Sequence, residues 1–290
     1  VNDGTTDSAS SYTMTVNVTA VNDAPTASNN TVTTNEDTDH TFAASEFGFT
    51  DVDGDSLDHV SIETLPSNGT LLLSGSAVSA GDQISTANIS NLVFRPAANA
   101  NGASYDTFTF TVNDGTTDSA SSYTMTVDVT AVNDAPTASN NTVTTNEDTD
   151  HTFSESEFGF SDVDGDSLDH VSIETLPSNG TLLLDGVAVT LGQDIPAADI
   201  SNLVFRPAAD ANGASYDTFT FSVNDGTTDS ASTYTMTIDV TAVNDAPTAA
   251  DNTVTTNEDT DHTFSASEFG FTDIDGDSLD HVSIETLPSN

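Results

Sequence analysis

The sequence contains no cysteine and no lysine, and only two arginines stand against 47 acidic residues, for a formal net charge of −45 over 290 residues. Without cysteine, disulfides cannot hold the domains together, and the redox compartment cannot be read from thiols. The shortage of cations excludes nucleic acid and anionic membrane surfaces as partners, because both are bound through Lys or Arg. No run of about eighteen apolar residues occurs, so no membrane insertion is expected. Acidic chains can be disordered. Here, however, the apolar residues fall in short alternating runs of Val, Ile, Phe and Tyr divided by Asn, Asp, Gly and Ser, the pattern of antiparallel strands and turns. Such a surplus of carboxylates makes divalent cations the natural partners.

What is abundant is repetition. Val21-Asn22-Asp23-Ala24-Pro25-Thr26 returns as Val132 to Thr137 and as Val243 to Thr248. Val1, Val112 and Val223 occupy equivalent places, and 112 − 1 and 223 − 112 both equal 111, so the period is 111 residues. A unit of that length can bury its own core, unlike the short units of a solenoid. Beads on a string are therefore expected: residues 1–22 as the C-terminal remnant of a repeat, whose final strand is the alternating run Tyr12–Thr19, 23–133 and 134–244 as complete repeats, and 245–290 as the N-terminal part of another, with its first few strands. Beginning and ending inside repeats, the chain reads as a slice of something longer. Pro25 lacks an N–H and biases Ala24 towards an extended backbone, so each joint is expected to leave its repeat straight.

Within the first complete repeat, strands are expected near Thr31–Thr34, His40–Phe42, His59–Glu63, Gly69–Leu73, Asn91–Arg95, Asp106–Val112 and Tyr123–Thr130. Phe108, Phe110 and Val112 alternate with Thr109 and Thr111, and Tyr123, Met125, Val127 and Val129 alternate with polar residues, so each strand buries one face. Asn113-Asp114-Gly115 marks a hairpin between the last two. The fold class is all-β: tandem seven-stranded Greek-key sandwiches of two facing sheets. The two complete repeats differ mostly between Ser74 and Asn88, read as a solvent-facing loop. His40 and His59, and their counterparts His151, His170, His262 and His281, lack zinc-ligand spacing and read as exposed strand or turn residues. Arg95 and Arg206 are expected to pair with a nearby carboxylate.

The chemistry lies in clustered oxygens. Asp51-Val52-Asp53-Gly54-Asp55 recurs as Asp162-Val163-Asp164-Gly165-Asp166, and the spacing is expected to set three carboxylates on one side of an extended segment. Calcium takes six to eight oxygen ligands in flexible geometry, and Asp and Asn supply them. The pattern is not an EF-hand: Gly54 falls at position four and Ile62 at position twelve.

Asn-Asp-Ala-Pro at the joint, Glu36 thirteen residues after Asp23, and Asp51 and Asp53 beginning twenty-eight residues after it resemble the interdomain calcium pattern of cadherins. The likeness extends over the whole chain and is greatest to the cadherin-like tandem repeats of giant RTX-type bacterial surface adhesins. It implies that Glu36, Asn133, Asp134, Asp162 and Asp164 share calcium ions at one joint, and Glu147, Asn244, Asp245, Asp273 and Asp275 at the next. Asn22, Asp23, Asp51 and Asp53 form the same joint without an upstream Glu, with Asp55 and Asp166 in the same loops. Asp114 and Asp118 are expected beside Asp51–Asp55 as outer ligands. Where cadherins carry Asp-Arg-Glu, this chain has Asn99-Ala100-Asn101 and Asp210-Ala211-Asn212, fewer acidic ligands than a three-ion cluster uses.

The function expected is that of a calcium-stiffened extender in a large extracellular bacterial adhesin, serving cell adhesion or biofilm. The alternatives are a self-assembling filament or surface-layer component, in which other copies pair with exposed strands, and a glycan-binding module acting through residues 74–88. Near-identical successive repeats with no unique residue argue against a single active site, so no enzymatic activity is expected.

Overall fold

A computed structural model describes residues 1–288, in two compact units, the first spanning Val1–Val132 and the second beginning at Asn133. The first contains β1 (Asn30–Asn35), β2 (His40–Thr41), β3 (His59–Thr64), β4 (Thr70–Leu73), β5 (Ser76–Ala77), β6 (Gln83–Ser85), β7 (Leu92–Arg95), β8 (Gly102–Asn113) and β9 (Tyr123–Thr130). They form two sheets, of order β1-β9-β8-β3-β6 and β2-β7-β4-β5. β1 runs parallel to β9, with Val32 opposite Val127, and the other pairs are antiparallel. Neighbours distant in sequence, β1 beside β9 and β2 beside β7, are those of a Greek-key sandwich.

The alternation in the sequence becomes the core. Phe108, Phe110 and Val112 of β8 are fully buried, as are Met125 and Val127 of β9, while the intervening threonines face outward. Across the sandwich they meet Phe42 and Phe47: the Phe42–Phe108 ring centroids are 5.6 Å apart and the Phe47–Phe110 centroids 4.9 Å, both edge to face. That geometry sets the positive ring edge against the negative face and adds about 0.5–1.5 kcal/mol per pair beyond burial. At Gly69 a Cβ would lie 2.2 Å from Cζ of Phe94 and 2.8 Å from the Arg95 carbonyl oxygen, leaving no room for a methyl group. Gly69→Ala is expected to destabilise the first sandwich by about 1–3 kcal/mol in a denaturant titration; a midpoint equal to the wild type's would contradict this packing.

The second unit repeats the design: β10 (Asn141–Asn146), β11 (His151–Thr152), β12 (His170–Thr175), β13 (Thr181–Leu184), β14 (Val187–Ala188), β15 (Asp194–Pro196), β16 (Leu203–Arg206), β17 (Gly213–Asn224) and β18 (Tyr234–Thr241), in the same two strand orders. Among the described residues no helix is long and apolar enough to cross a membrane.

Several elements differ from expectation. The stretch read as a loop between Ser74 and Asn88 holds two short strands, β5 and β6, which extend one edge of each sheet. β8 begins at Gly102, four residues early, because a bulge between Gly102 and Asp106 shifts its register against β9. Tyr12–Thr19 forms no strand, and Tyr12, Met14, Val16 and Val18 are exposed. Residues 245–288 contain one 3₁₀ turn, Ala266–Phe269, and a single bridge to the joint, Thr248 to Thr272, but no strand. In the complete repeats these segments are held by partners, β1 by β9 and β10 by β18, that they lack within this chain. Five of the six histidines are half-buried and not exposed, because they face carboxylates: His40 Nε2 is 3.3 Å from Glu46 and His59 Nδ1 2.8 Å from Asp58. His281 alone is exposed. Arg95 binds Asp39 with two hydrogen bonds of 2.8 and 2.7 Å, which hold the Asp39 carboxyl below its ordinary range, and Arg206 binds Asp150 in the same way.

Candidate metal centre

The Asp-x-Asp-Gly-Asp segment is not extended; it wraps around its first carboxylate. Asp51 Oδ1 accepts the backbone N–H of Asp53 at 2.8 Å and of Asp55 at 3.1 Å, and Gly54 takes φ 86°, which L side chains avoid. Folding back brings ligand oxygens of Asp51, Asp53 and Asp55 within 4.8 Å of one another. Asp51 Oδ2 is buried and has no hydrogen-bond partner. The second unit reproduces this at Asp162, Asp164 and Asp166, where Asp162 Oδ1 accepts two N–H groups and Oδ2 is again buried without a partner. A buried carboxylate oxygen without a donor is costly, and a cation is the ligand that such an oxygen fits.

The joints are tied to these loops through backbone N–H groups. Asp53 Oδ2 accepts the N–H of Asp23 at 2.7 Å, Asp164 Oδ2 that of Asp134 at 2.7 Å, and Asp275 Oδ2 that of Asp245 at 2.7 Å. Asn22 Nδ2 donates to Asp114 at 2.9 Å and Asn133 Nδ2 to Asp225 at 2.9 Å, so these two amides spend their nitrogens on the final hairpin of the repeat that follows. Asn22 draws the Asp114 carboxyl below its ordinary range, and the Thr117 N–H helps. Asp118 accepts from Asn113 at 2.7 Å and lies 3.9 Å from His59. Asp114 thus joins its own hairpin to the joint, and neither it nor Asp118 is a member of the three-carboxylate group at Asp51, Asp53 and Asp55.

Glu36 and Glu147 directly follow the first strand of each sandwich and are 3% exposed. Glu36 Oε1 accepts the Val132 N–H at 2.6 Å and Oε2 the Asn101 amide at 3.0 Å. Glu147 accepts the Val243 N–H and, at 2.9 Å, the Asn212 amide. The Asn212 amide and then the Val243 N–H hold the Glu147 carboxyl below its ordinary range, against the opposing effect of burial. Each glutamate thereby fixes the segment that leaves its own sandwich.

In the second unit the expected joint set converges in part. Oxygens of Glu147, Asp245 and Asp275 lie within 4.8 Å of one another, and so do those of Asp148, Asp210 and Asp245. Asp273 accepts the Asp277 N–H at 3.0 Å and is not a member of either carboxylate group, and Asn244 Nδ2 donates to the Asp245 carbonyl at 2.8 Å. Asp245 is the shared member, and its Oδ2 is buried without a partner. Burial, then repulsion from Asp210, Asp275, Asp148 and Glu147, push its carboxyl above the ordinary range. Sequence reading did not assign Asp148 and Asp210 as ligands. The available signal was Asp148 directly after Glu147 and Asp210 opening the segment equivalent to cadherin Asp-Arg-Glu; Asp148 Oδ1 accepts the Asp210 N–H at 3.2 Å.

A family model described as "Bacterial Ig domain" matches residues 22–130 and again residues 133–241. No curated protein matches the chain. Among solved structures, the chain is similar to Drosophila N-cadherin EC1-4, with 16% identity over 76% of this chain and 50% of that one, TM-score 0.38. It is also similar to the human Desmocollin-1 ectodomain, with 10% identity over 82% and 44%, TM-score 0.34. A family 107 glycoside hydrolase, the endo-fucoidan hydrolase MfFcnA4, shares 18% identity over 76% of this chain and 29% of its own length, TM-score 0.25. The chain therefore spans half or less of each of these three structures.

Proposed function

Because the chain belongs to the family of bacterial Ig domains, we propose that its tandem sandwiches are a calcium-stiffened extender segment of a large extracellular bacterial adhesin. The observation that carries this reading is Asp245: a carboxylate buried at one oxygen, without a donor for it, and facing four other carboxylates. The whole chain offers two arginines against 47 acidic groups, so protein cations do not balance such sites. Glu147, Asp245 and Asp275 would hold the ion, with Asp148 and Asp210 beside it. Bound calcium supplies positive charge and oxygen coordination there, which turns mutual repulsion into shared attraction.

The residues that would share the ion come from three places in sequence: the end of β10, the segment after β18, and the loop beyond it. An ion that binds all three opposes bending where one repeat passes to the next. Extracellular calcium modules have dissociation constants of about 10⁻⁴ to 10⁻³ M, so such sites fill outside a cell and empty inside it. The Asp51–Asp55 and Asp162–Asp166 loops would contribute further oxygens in their own units. Small-angle scattering of the chain in millimolar calcium, then in excess chelator, is expected to give a smaller radius of gyration after chelation. An unchanged radius would remove calcium-dependent stiffness from the account.

A further inference from the structure

Two stretches of the chain match the two sides of one strand pairing, and neither is paired. Tyr12–Thr19 is β9 displaced by one repeat of 111 residues, and Asn252–Asn257 is β1 displaced by two. In the complete repeats these strands run parallel, with Met125 opposite Asn30, Val127 opposite Val32 and Val129 opposite Thr34, and β18 lies on β10 in the same register. Met125 and Val127 are fully buried there, whereas Met14, Val16 and Val18 are 87%, 75% and 89% exposed. Val254, Phe264, Val282 and Ile284 are exposed as well. Beside them lies a cavity of about 450 Å³ lined in part by Phe269, Leu279 and Val282, whose counterparts Phe158, Leu168 and Val171 are buried.

We propose that the Val1–Thr19 segment of one copy docks on residues 244–284 of a second copy and re-creates between chains the pairing of β9 with β1, so that copies associate head to tail. Val16 then lies opposite Val254, in the register of Val127 and Val32. Val1 lies opposite Val282, as Val112 does opposite Val60 and Val223 opposite Val171, and covers the cavity. The Asp280 N–H meets the Asn2 carbonyl, as Asp58 meets Asn113 and Asp169 meets Asn224, each at 2.8 Å. Asp251 stands where Asn29 accepts the Thr124 N–H and Asn140 that of Thr235, both at 2.8 Å, and so receives Thr13. The Asn244 amide gains Asp3, as Asn22 has Asp114 and Asn133 has Asp225, both at 2.9 Å.

Both sides already hold part of the shape they need. The Asn2 amide bonds Asp7 at 2.7 Å, as Asn113 bonds Asp118, and Gly4 has φ 102° beside 97° at Gly115. Thr248 and Thr272 exchange N–H bonds of 2.8 and 2.9 Å, and the Asn252 amide donates to the Glu268 carbonyl at 2.8 Å, as Asn30 does to Glu46 at 2.9 Å. Less ordering is then left to oppose association. Because the two surfaces differ, the contact is heterologous and propagates from copy to copy unless it closes on itself. The net charge of −45 on each copy opposes approach, and salt screens it. No step uses calcium, so the pairing stands apart from the function proposed above.

Analytical ultracentrifugation of the full chain, in chelator and at about 0.15 M salt, tests the pairing. At about 100 μM, where a contact of micromolar strength is filled, the weight-average mass is expected to exceed that of one chain and to fall on dilution. The double variant Val16→Asp, Val18→Asp loses one surface and Val254→Asp, Val282→Asp the other; each is expected to stay monomeric, because the pair would bury the new charges. All four valines are exposed in the single chain, so the melting of the two complete sandwiches is expected to be unchanged. Mixed together, the two variants supply one intact surface each and are expected to form a one-to-one dimer and nothing longer. A wild type that remains monomeric at about 100 μM, including one whose own two stretches close on each other, overturns the proposal. So do variants that associate as the wild type does, or a mixture that stays monomeric.

Discussion

Asp106→Ala is expected to lower the melting temperature of the first sandwich by more than about 10 °C, while leaving that of the second unchanged. Asp106 is 5% exposed, at the point where β8 recovers its register. Its carboxylate accepts the N–H groups of Ser67, Asn68 and Gly69 at 3.0, 2.7 and 2.8 Å, so one side chain satisfies the turn that enters β4. Removing it leaves three donors unpaired, each costing about 1–3 kcal/mol, against a total stability of about 5–15 kcal/mol for a domain. The pH dependence has a definite sign. Burial pushes the Asp106 carboxyl up, but the N–H groups of Ser67, Asn68, Gly69 and Thr107 together outweigh it and the net shift is down. A lowered folded value means stability fully present above the unfolded value of about 3.9 and lost as pH falls through the folded value. Acid titration of the wild type should therefore show unfolding below about pH 4, and Asp106→Ala should flatten that dependence for the first sandwich. Calorimetry resolves the two sandwiches, and unaltered transitions in Asp106→Ala would show that the turn is held by something else.

Calcium has the second large expected effect. At about one hundred times its dissociation constant, a ligand that binds only the folded state adds about 2.7 kcal/mol, which for a domain of this size raises the melting temperature by about 10 °C or more. Asp245→Asn is expected to abolish that gain for the second unit and, in chelator, to stabilise it slightly. The sign follows from the Asp245 carboxyl, raised by burial and by the carboxylates around it. A raised folded value disfavours the ionised form, so the cost appears as pH rises through the unfolded value. An uncharged amide removes that cost together with the ligand. Melting curves with calcium and with chelator check both halves.

Much of the sandwich was legible because its strands bury one face. Phe108, Phe110 and Val112 against Thr109 and Thr111 declare a half-buried strand without reference to any other segment, and the Asn-Asp-Gly turn declares its hairpin. β5 and β6 were not legible: two and three residues long, among Ser, Gly and Asp, they exist only because β4 and β3 lie beside them. The start of β8 was hidden for a related reason, since the positive φ of Ser104 and the bulge it makes answer to Asp128, which accepts the Ser104 N–H at 2.6 Å. The oxygen-rich joints were legible as composition and spacing. Their geometry was not: Asp51 turns its own segment back by accepting two N–H groups, where alternation alone suggested an extended run. Asp148 and Asp210 stand 62 residues apart in sequence, so their approach depends on the topology that carries the chain from β10 around to β17. The same holds for Asn101 and Glu36, 65 residues apart.

The central claim is that the carboxylates gathered by Asp245 hold calcium, and calorimetric titration of calcium into the chain tests it most directly. The account predicts binding near 10⁻⁴ to 10⁻³ M, with fewer sites in the triple variant Glu147→Gln, Asp245→Asn, Asp275→Asn than in the wild type. No heat of binding at calcium concentrations well above that range, or the same number of sites in wild type and triple variant, would contradict it.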